Sequence, residues 1–116
     1  MAGPFLEFDL TREMHLLHEE VSWHAGQNAR TLVTFDDLRV VLTALKANTR
    51  MPEYKTEGRV SVHVLSGHLQ VRASGRTFDL RAGNLLTPDR ATPHDVEALE
   101  DSGFLITIAL FTGGQQ

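Results

Sequence analysis

Met51-Pro-Glu-Tyr-Lys-Thr-Glu-Gly-Arg-Val-Ser-Val-His-Val-Leu-Ser-Gly67 is the stretch whose reading decides the fold. It opens as a polar loop and then alternates, with Val60, Val62 and Val64 on one side and Ser61, His63 and Leu65 on the other. A period of two belongs to a strand with one buried face, because successive Cβ atoms leave opposite faces of the pleat. Ser66-Gly67 is turn material, and it feeds a second alternating run, His68–Ala73.

Further strands follow at short intervals. Ser74-Gly75 separates Leu69–Ala73 from Arg76–Leu80 and predicts a hairpin. Arg81-Ala-Gly83 turns into Leu85-Leu86, Pro88 to Pro93 forms a stiff loop, and strands are predicted over Val96–Leu99 and Phe104–Phe111. The last of these is apolar on both faces and is expected to be buried. Upstream, Thr31–Phe35 and Leu38–Leu45 are rich in β-branched residues, with Asp36-Asp37 as the turn between them. Trp23 to Asn28 reads as a loop broken at Gly26. Before it, Leu10, Met14, Leu17 and Val21 fall along one side of a helix that Thr11 is expected to cap. Many short strands with Gly and Pro turns mean an all-β sandwich or barrel. The division expected is an N-terminal arm and helix over 1–28, a barrel over 29–112 and a tail over 113–116.

A chain of 116 residues makes one domain. Its net charge of −4 is mild and its lysines and arginines are scattered among acids, so nucleic acid is not an expected partner. No window approaches the length of a membrane span, and the start carries acids where a signal peptide would carry bases. With no cysteine there is no disulfide framework, thiolate nucleophile or zinc–thiolate site. A cytoplasmic protein is the expectation. Gly-x-Ser-x-Gly elbows and phosphate-binding glycine loops do not occur.

The spacing of glycines and polar residues around the organising stretch resembles the two motifs of the cupin superfamily, whose small members are jelly-roll barrels, or double-stranded β-helices, of the RmlC-like, cupin-2 type. The first motif aligns with Gly67 at its end, Asn48 at its opening glycine, Tyr54 and Thr56 at its two histidines and Val60 at its glutamate. The second aligns with Gly83 at its start and His94 at its histidine, while Asp89, Ala91 and Ala98 stand for its proline, second glycine and asparagine. The resemblance runs from about Leu38 to Phe111 and implies a cupin β-barrel with a short N-terminal helix. Asn48 replaces glycine with a residue that also tolerates left-handed backbone.

The same alignment implies a degenerate metal motif. Three histidines and a carboxylate suit divalent iron, manganese, nickel, copper or zinc; only His94 remains of the four. Valine cannot ligate, and threonine is a poor ligand for these ions. No standard metal centre is therefore expected, and if one divalent transition metal binds, its ligands would be His94 with Tyr54 and Glu53 or Glu57. Without a metal, Tyr54, Thr56, Val60, Val62 and His94 line a ligand site at the barrel mouth. There His94 is the candidate general acid or base and Tyr54 its partner. His63, on the face opposite the inward valines, is expected to turn away from that site. His15, His18 and Glu19 read as a solvated helix face, Trp23 as a packing anchor and His68 as a turn residue.

Three functions follow as expectations. The first is a small cupin binding an organic ligand without a standard metal. The second is a metal-dependent oxygenase or isomerase with a rearranged site, and the third a non-catalytic structural or partner-binding protein. A homodimer is expected, paired through residues 29–45.

Overall fold

The computed structural model describes residues 4–54, 58–90 and 92–110, with side chains described at all of these except 52–54. One helix, α1 (Leu10–Glu19), and a 3₁₀ helix (Val21–Ala25) lead into nine strands among the described residues. These are β1 (Gln27–Thr34), β2 (Leu38–Leu45), β3 (Arg50–Tyr54), β4 (Arg59–Ser66), β5 (His68–Ala73), β6 (Arg76–Arg81), β7 (Leu85–Leu86), β8 (His94–Ala98) and β9 (Ser102–Ala109). They form two antiparallel sheets, a five-stranded one in the order β1-β2-β9-β4-β7 and a four-stranded one in the order β3-β8-β5-β6.

The alternation in β4 plays out as its sequence requires. Val60, Val62 and Val64 are buried between the sheets, while His63 and Leu65 lie on the outer face and are half-buried. β9 is central, paired to β2 on one side and β4 on the other, which explains why it is apolar on both faces. Leu45, Val64, Leu69, Val71, Ala98 and Phe104, all fully buried, belong to the core between the two sheets. The outer face of the four-stranded sheet is polar instead. Across it Asp95 takes Arg50 at 2.7 Å and Arg72 at 3.2 Å, and Arg72 also reaches Glu97 at 3.0 Å.

Ser66-Gly67 does not close a hairpin. β4 pairs within the five-stranded sheet and β5 within the four-stranded one, so the turn is the corner at which the chain changes sheets. Ser102 holds that corner: its hydroxyl accepts from the His68 amide at 3.0 Å and donates to the Glu100 carbonyl at 2.8 Å. Ser74-Gly75 does close the predicted hairpin. Both residues have positive φ (52° and 74°), the backbone of a type I′ turn, and Ala73 faces Arg76 across it.

Three local expectations are corrected. The helix is capped by Asp9, whose carboxylate accepts from the Arg12 amide at 3.2 Å, so Thr11 falls inside the first turn. The helix ends at Glu19, which leaves Val21 in the 3₁₀ segment and 84% exposed rather than on the packed face. The beginning of the organising stretch is a strand, β3, and not a loop. Pro52 is accommodated there because β3 is an edge strand with a register shift between Met51 and Tyr54, so no ladder hydrogen bond is demanded of it.

Helix α1 covers part of the outer face of the five-stranded sheet. Leu17 is fully buried there with Leu42 and Ala44, flanked by Met14, Trp23, Leu32, Leu65 and Leu105. Gly103 of β9 lies beneath the helix, where the end of the Met14 side chain occupies the space an added Cβ would take. Asn28 of β1 fastens the far end of α1: its side-chain amide donates to the Leu17 carbonyl and to Glu20, each at 2.9 Å.

Candidate functional site in the barrel cavity

Between the sheets lies a cavity of about 180 Å³ lined by Gln27, Ala29, Val41, Thr43, Met51, Val62, His94, Val96, Ile106 and Ile108. Register explains the lining. Val41, Ile106 and Val62 form one inward row across β2, β9 and β4, and Met51 and Val96 are paired on β3 and β8 opposite. Phe104 and Val64 belong to the next row and are fully buried in the core. Gln27 and Ala29 are exposed whereas Thr43, Val62, His94 and Val96 are buried, so the cavity opens beside edge strand β1.

His94 is 5% exposed and begins β8. Its Nδ1 lies 3.2 Å from the Thr92 carbonyl. A carbonyl only accepts, so in this bond Nδ1 carries the proton and donates it. The imidazole is thereby held in its orientation by the loop that precedes it.

Of the residues expected at the site, Val62 and His94 line the cavity together. Val60 is buried in the adjoining core and is not part of the lining. Tyr54 faces His94 in the β3–β8 register, which puts their backbones side by side as the motif alignment implied. The side chains of Glu53 and Tyr54, and Thr56 and Glu57 entirely, lie outside the described residues. His63 is absent from the lining and pairs with Leu105 and Leu85 across its own sheet, its side chain on the outer face. Gln27 and Thr43 are additions that sequence reasoning missed. The sequence places Gln27 in a loop and Thr43 in the segment expected at a dimer contact, and only the packing of the two sheets shows that both look into the cavity.

The residues described do not fit a cupin metal centre. Among them no group of three or more histidines, cysteines or carboxylates converges, and His94 is the only such residue in the cavity wall. Val62, Ile106 and Ile108 present hydrocarbon around it. The remaining histidines serve elsewhere. His68 lies 3.1 Å from Asp79 on the four-stranded sheet, and His18 stacks on Trp23 with ring centres 4.4 Å apart. Lys46 lies over the same indole at 5.3 Å, so Trp23 is a packing anchor with a cation above it. His15 and His18 border an open groove with Leu10, Met14 and Leu65 outside the barrel.

Solved structures share this architecture. A conserved protein of unknown function from Streptococcus pyogenes superposes with a TM-score of 0.78 at 22% identity, covering 93% of this chain and 90% of that one. A cupin superfamily protein from Desulfitobacterium hafniense DCB-2 gives 0.71 at 14% identity, covering 73% and 78%. Salicylate 1,2-dioxygenase from Pseudoaminobacter salicylatoxidans gives 0.77 at 17% identity over 88% of this chain and 32% of its own. No protein-family profile matches the sequence, and no curated protein matches it. The likeness therefore lies in the fold: with two antiparallel sheets packed face to face, this chain has the small jelly-roll fold that these solved structures share.

Proposed function

We propose that this protein binds a small organic molecule in the barrel cavity and does so without a standard cupin metal centre. The observation that carries the reading is the described cavity wall, hydrocarbon on most sides with a few polar groups and His94 as its only histidine or acidic residue among the described residues. Small-molecule sites usually have that composition, an apolar pocket with a few placed polar groups. In this reading His94 orients the ligand, and Tyr54 and Thr56 complete the mouth. Carriage or sensing of the ligand fits best, since one imidazole is the only acid–base group in the described wall.

The competing reading, a metal-dependent oxygenase or isomerase, draws its support from neighbours such as the salicylate dioxygenase. It needs Tyr54 and a glutamate, Glu53 or Glu57, to join His94. Metal analysis of the untagged protein beside His94→Ala separates the two. Binding without a metal centre predicts well under one iron, manganese, nickel, copper or zinc per chain in both proteins. A stoichiometric metal that disappears in His94→Ala would overturn it in favour of the enzyme.

The protein is further proposed to be a homodimer in the cytoplasm, with no nucleic acid or membrane as partner. Supporting the dimer, β1 is an edge strand, and part of the apolar outer face beside it lies beyond α1. Supporting the compartment, the chain has no cysteine, and no described helix is long and apolar enough to cross a membrane.

A further inference from the structure

Thr43 is the polar residue in the cavity that the fold does not explain. It sits on β2, two residues from Val41 on the same inward face, and is 1% exposed. Its hydroxyl has no hydrogen-bond partner among the described residues. It is not among the sealed, unpartnered atoms of the interior, so the hydroxyl is open to the cavity and is completed by whatever occupies it. Valine would fill the same volume without carrying a hydroxyl into hydrocarbon, and valine is what the chain places at 41, 62 and 96 around the same space. Thr43 and His94 stand on different sheets, so a molecule between the sheets has a polar group on each side and isoleucine and valine between.

Two properties of the wall limit what that molecule is. Among the ten described lining residues there is no lysine, arginine, aspartate or glutamate. Against these residues a carboxylate or ammonium ion would shed its hydration with no counter-charge in return, which disfavours ionised ligands. The volume of about 180 Å³ is slightly larger than the ~150 Å³ apolar cavity known to take up benzene, which leaves room for a ring and one small substituent.

Resting on the reading that the cavity is a binding site, we propose that Thr43 anchors the ligand. Its hydroxyl exchanges a hydrogen bond with the hydroxyl or carbonyl group of an uncharged molecule about the size of a monosubstituted benzene. Phenol, toluene and benzoate are probes of nearly equal size that differ in just these respects. Their binding is followed by the methyl resonances of Ile106 and Ile108 in the parent protein, Thr43→Val and Thr43→Ser. Phenol should bind the parent and Thr43→Ser, and bind Thr43→Val about tenfold more weakly, the worth of one hydrogen bond. Toluene should bind all three within about twofold, which also shows that the variants keep the cavity. Benzoate should not bind at concentrations that saturate phenol.

Equal weakening of phenol and toluene in Thr43→Val would overturn the anchoring role and leave Thr43 a packing residue. Benzoate binding as tightly as phenol would overturn the uncharged ligand class. If toluene binds and phenol shows no dependence on Thr43, this inference fails while the cavity remains a site. If none of the three probes moves the isoleucine methyls, the binding function itself fails.

Discussion

At Asn48 the backbone takes a positive φ of 66°, and at Gly67 and Gly83 it takes 86° and 92°. These are three of the four glycine positions of the motif alignment; the fourth, Ala91, lies outside the described residues. The two motifs therefore persist here as backbone geometry, while their ligand positions hold Tyr54, Thr56 and Val60. That division explains what could be read from residues. Left-handed backbone admits few residue types, so Gly and Asn at these spacings are informative. A side chain facing a cavity is under no such constraint, and Thr43 looked like any strand threonine. Gly67 is also hemmed in, since an added Cβ would collide with the Ser102 hydroxyl and the Asp101 carbonyl, whereas at Gly75 it would meet nothing within 4 Å. Gly75→Ala should therefore cost about 1 kcal/mol from its φ alone. Gly67→Ala should cost on the order of 3 kcal/mol or more, because overpacking is added to the same strain. Urea unfolding of both variants checks this, and equal losses would refute the crowding at the sheet-changing corner.

Helix α1 shows how periodicity can find an element and still misplace its edge. Leu10, Met14 and Leu17 do fall on the packed side, but the pattern runs on to Val21 after the helix has stopped at Glu19. The stop is set by tertiary bonds that no local pattern records, the Asn28 amide taking the Leu17 carbonyl and Arg30 reaching Glu20 at 2.7 Å. Strand β3 was missed for the opposite reason. Proline argues against a strand in general, and only the sheet order reveals that β3 is an edge. The contrast at α1 is measurable. Leu17→Ala removes a fully buried side chain and should cost about 2–5 kcal/mol. Val21→Ala removes one that is 84% exposed and should change stability by less than about 0.5 kcal/mol. Comparable losses in thermal or chemical unfolding would mean that the helix continues through Val21 in solution.

Over the whole molecule, strand spacing is enough to announce an all-β sandwich or barrel, because turn residues punctuate it regularly, and the motif resemblance narrows this to a jelly roll. How the two sheets open against each other was not readable, since that depends on packing between strands far apart in sequence. The same packing leaves a groove of about 440 Å³ on the outer face of the five-stranded sheet, where Leu32, Phe35, Leu38, Val40 and Leu105 meet Leu6 and Phe8 of the arm. Phe35 and Leu6 are about half exposed. One surface thus offers an apolar groove, projecting apolar side chains and the free edge of β1, which suits an isologous contact with a second copy. Light scattering should give a mass near twice 12.9 kDa for the parent. The double variant Leu6→Glu with Phe35→Glu should fall to a single-chain mass without losing its unfolding transition, because both changes are made at exposed positions and only pairing buries the new charges. Leu85→Glu, equally disruptive in chemistry but at the other edge of the sheet, should leave the dimer intact. A parent that scatters as one chain would reject the dimer, and dissociation by Leu85→Glu instead would move the contact to β7.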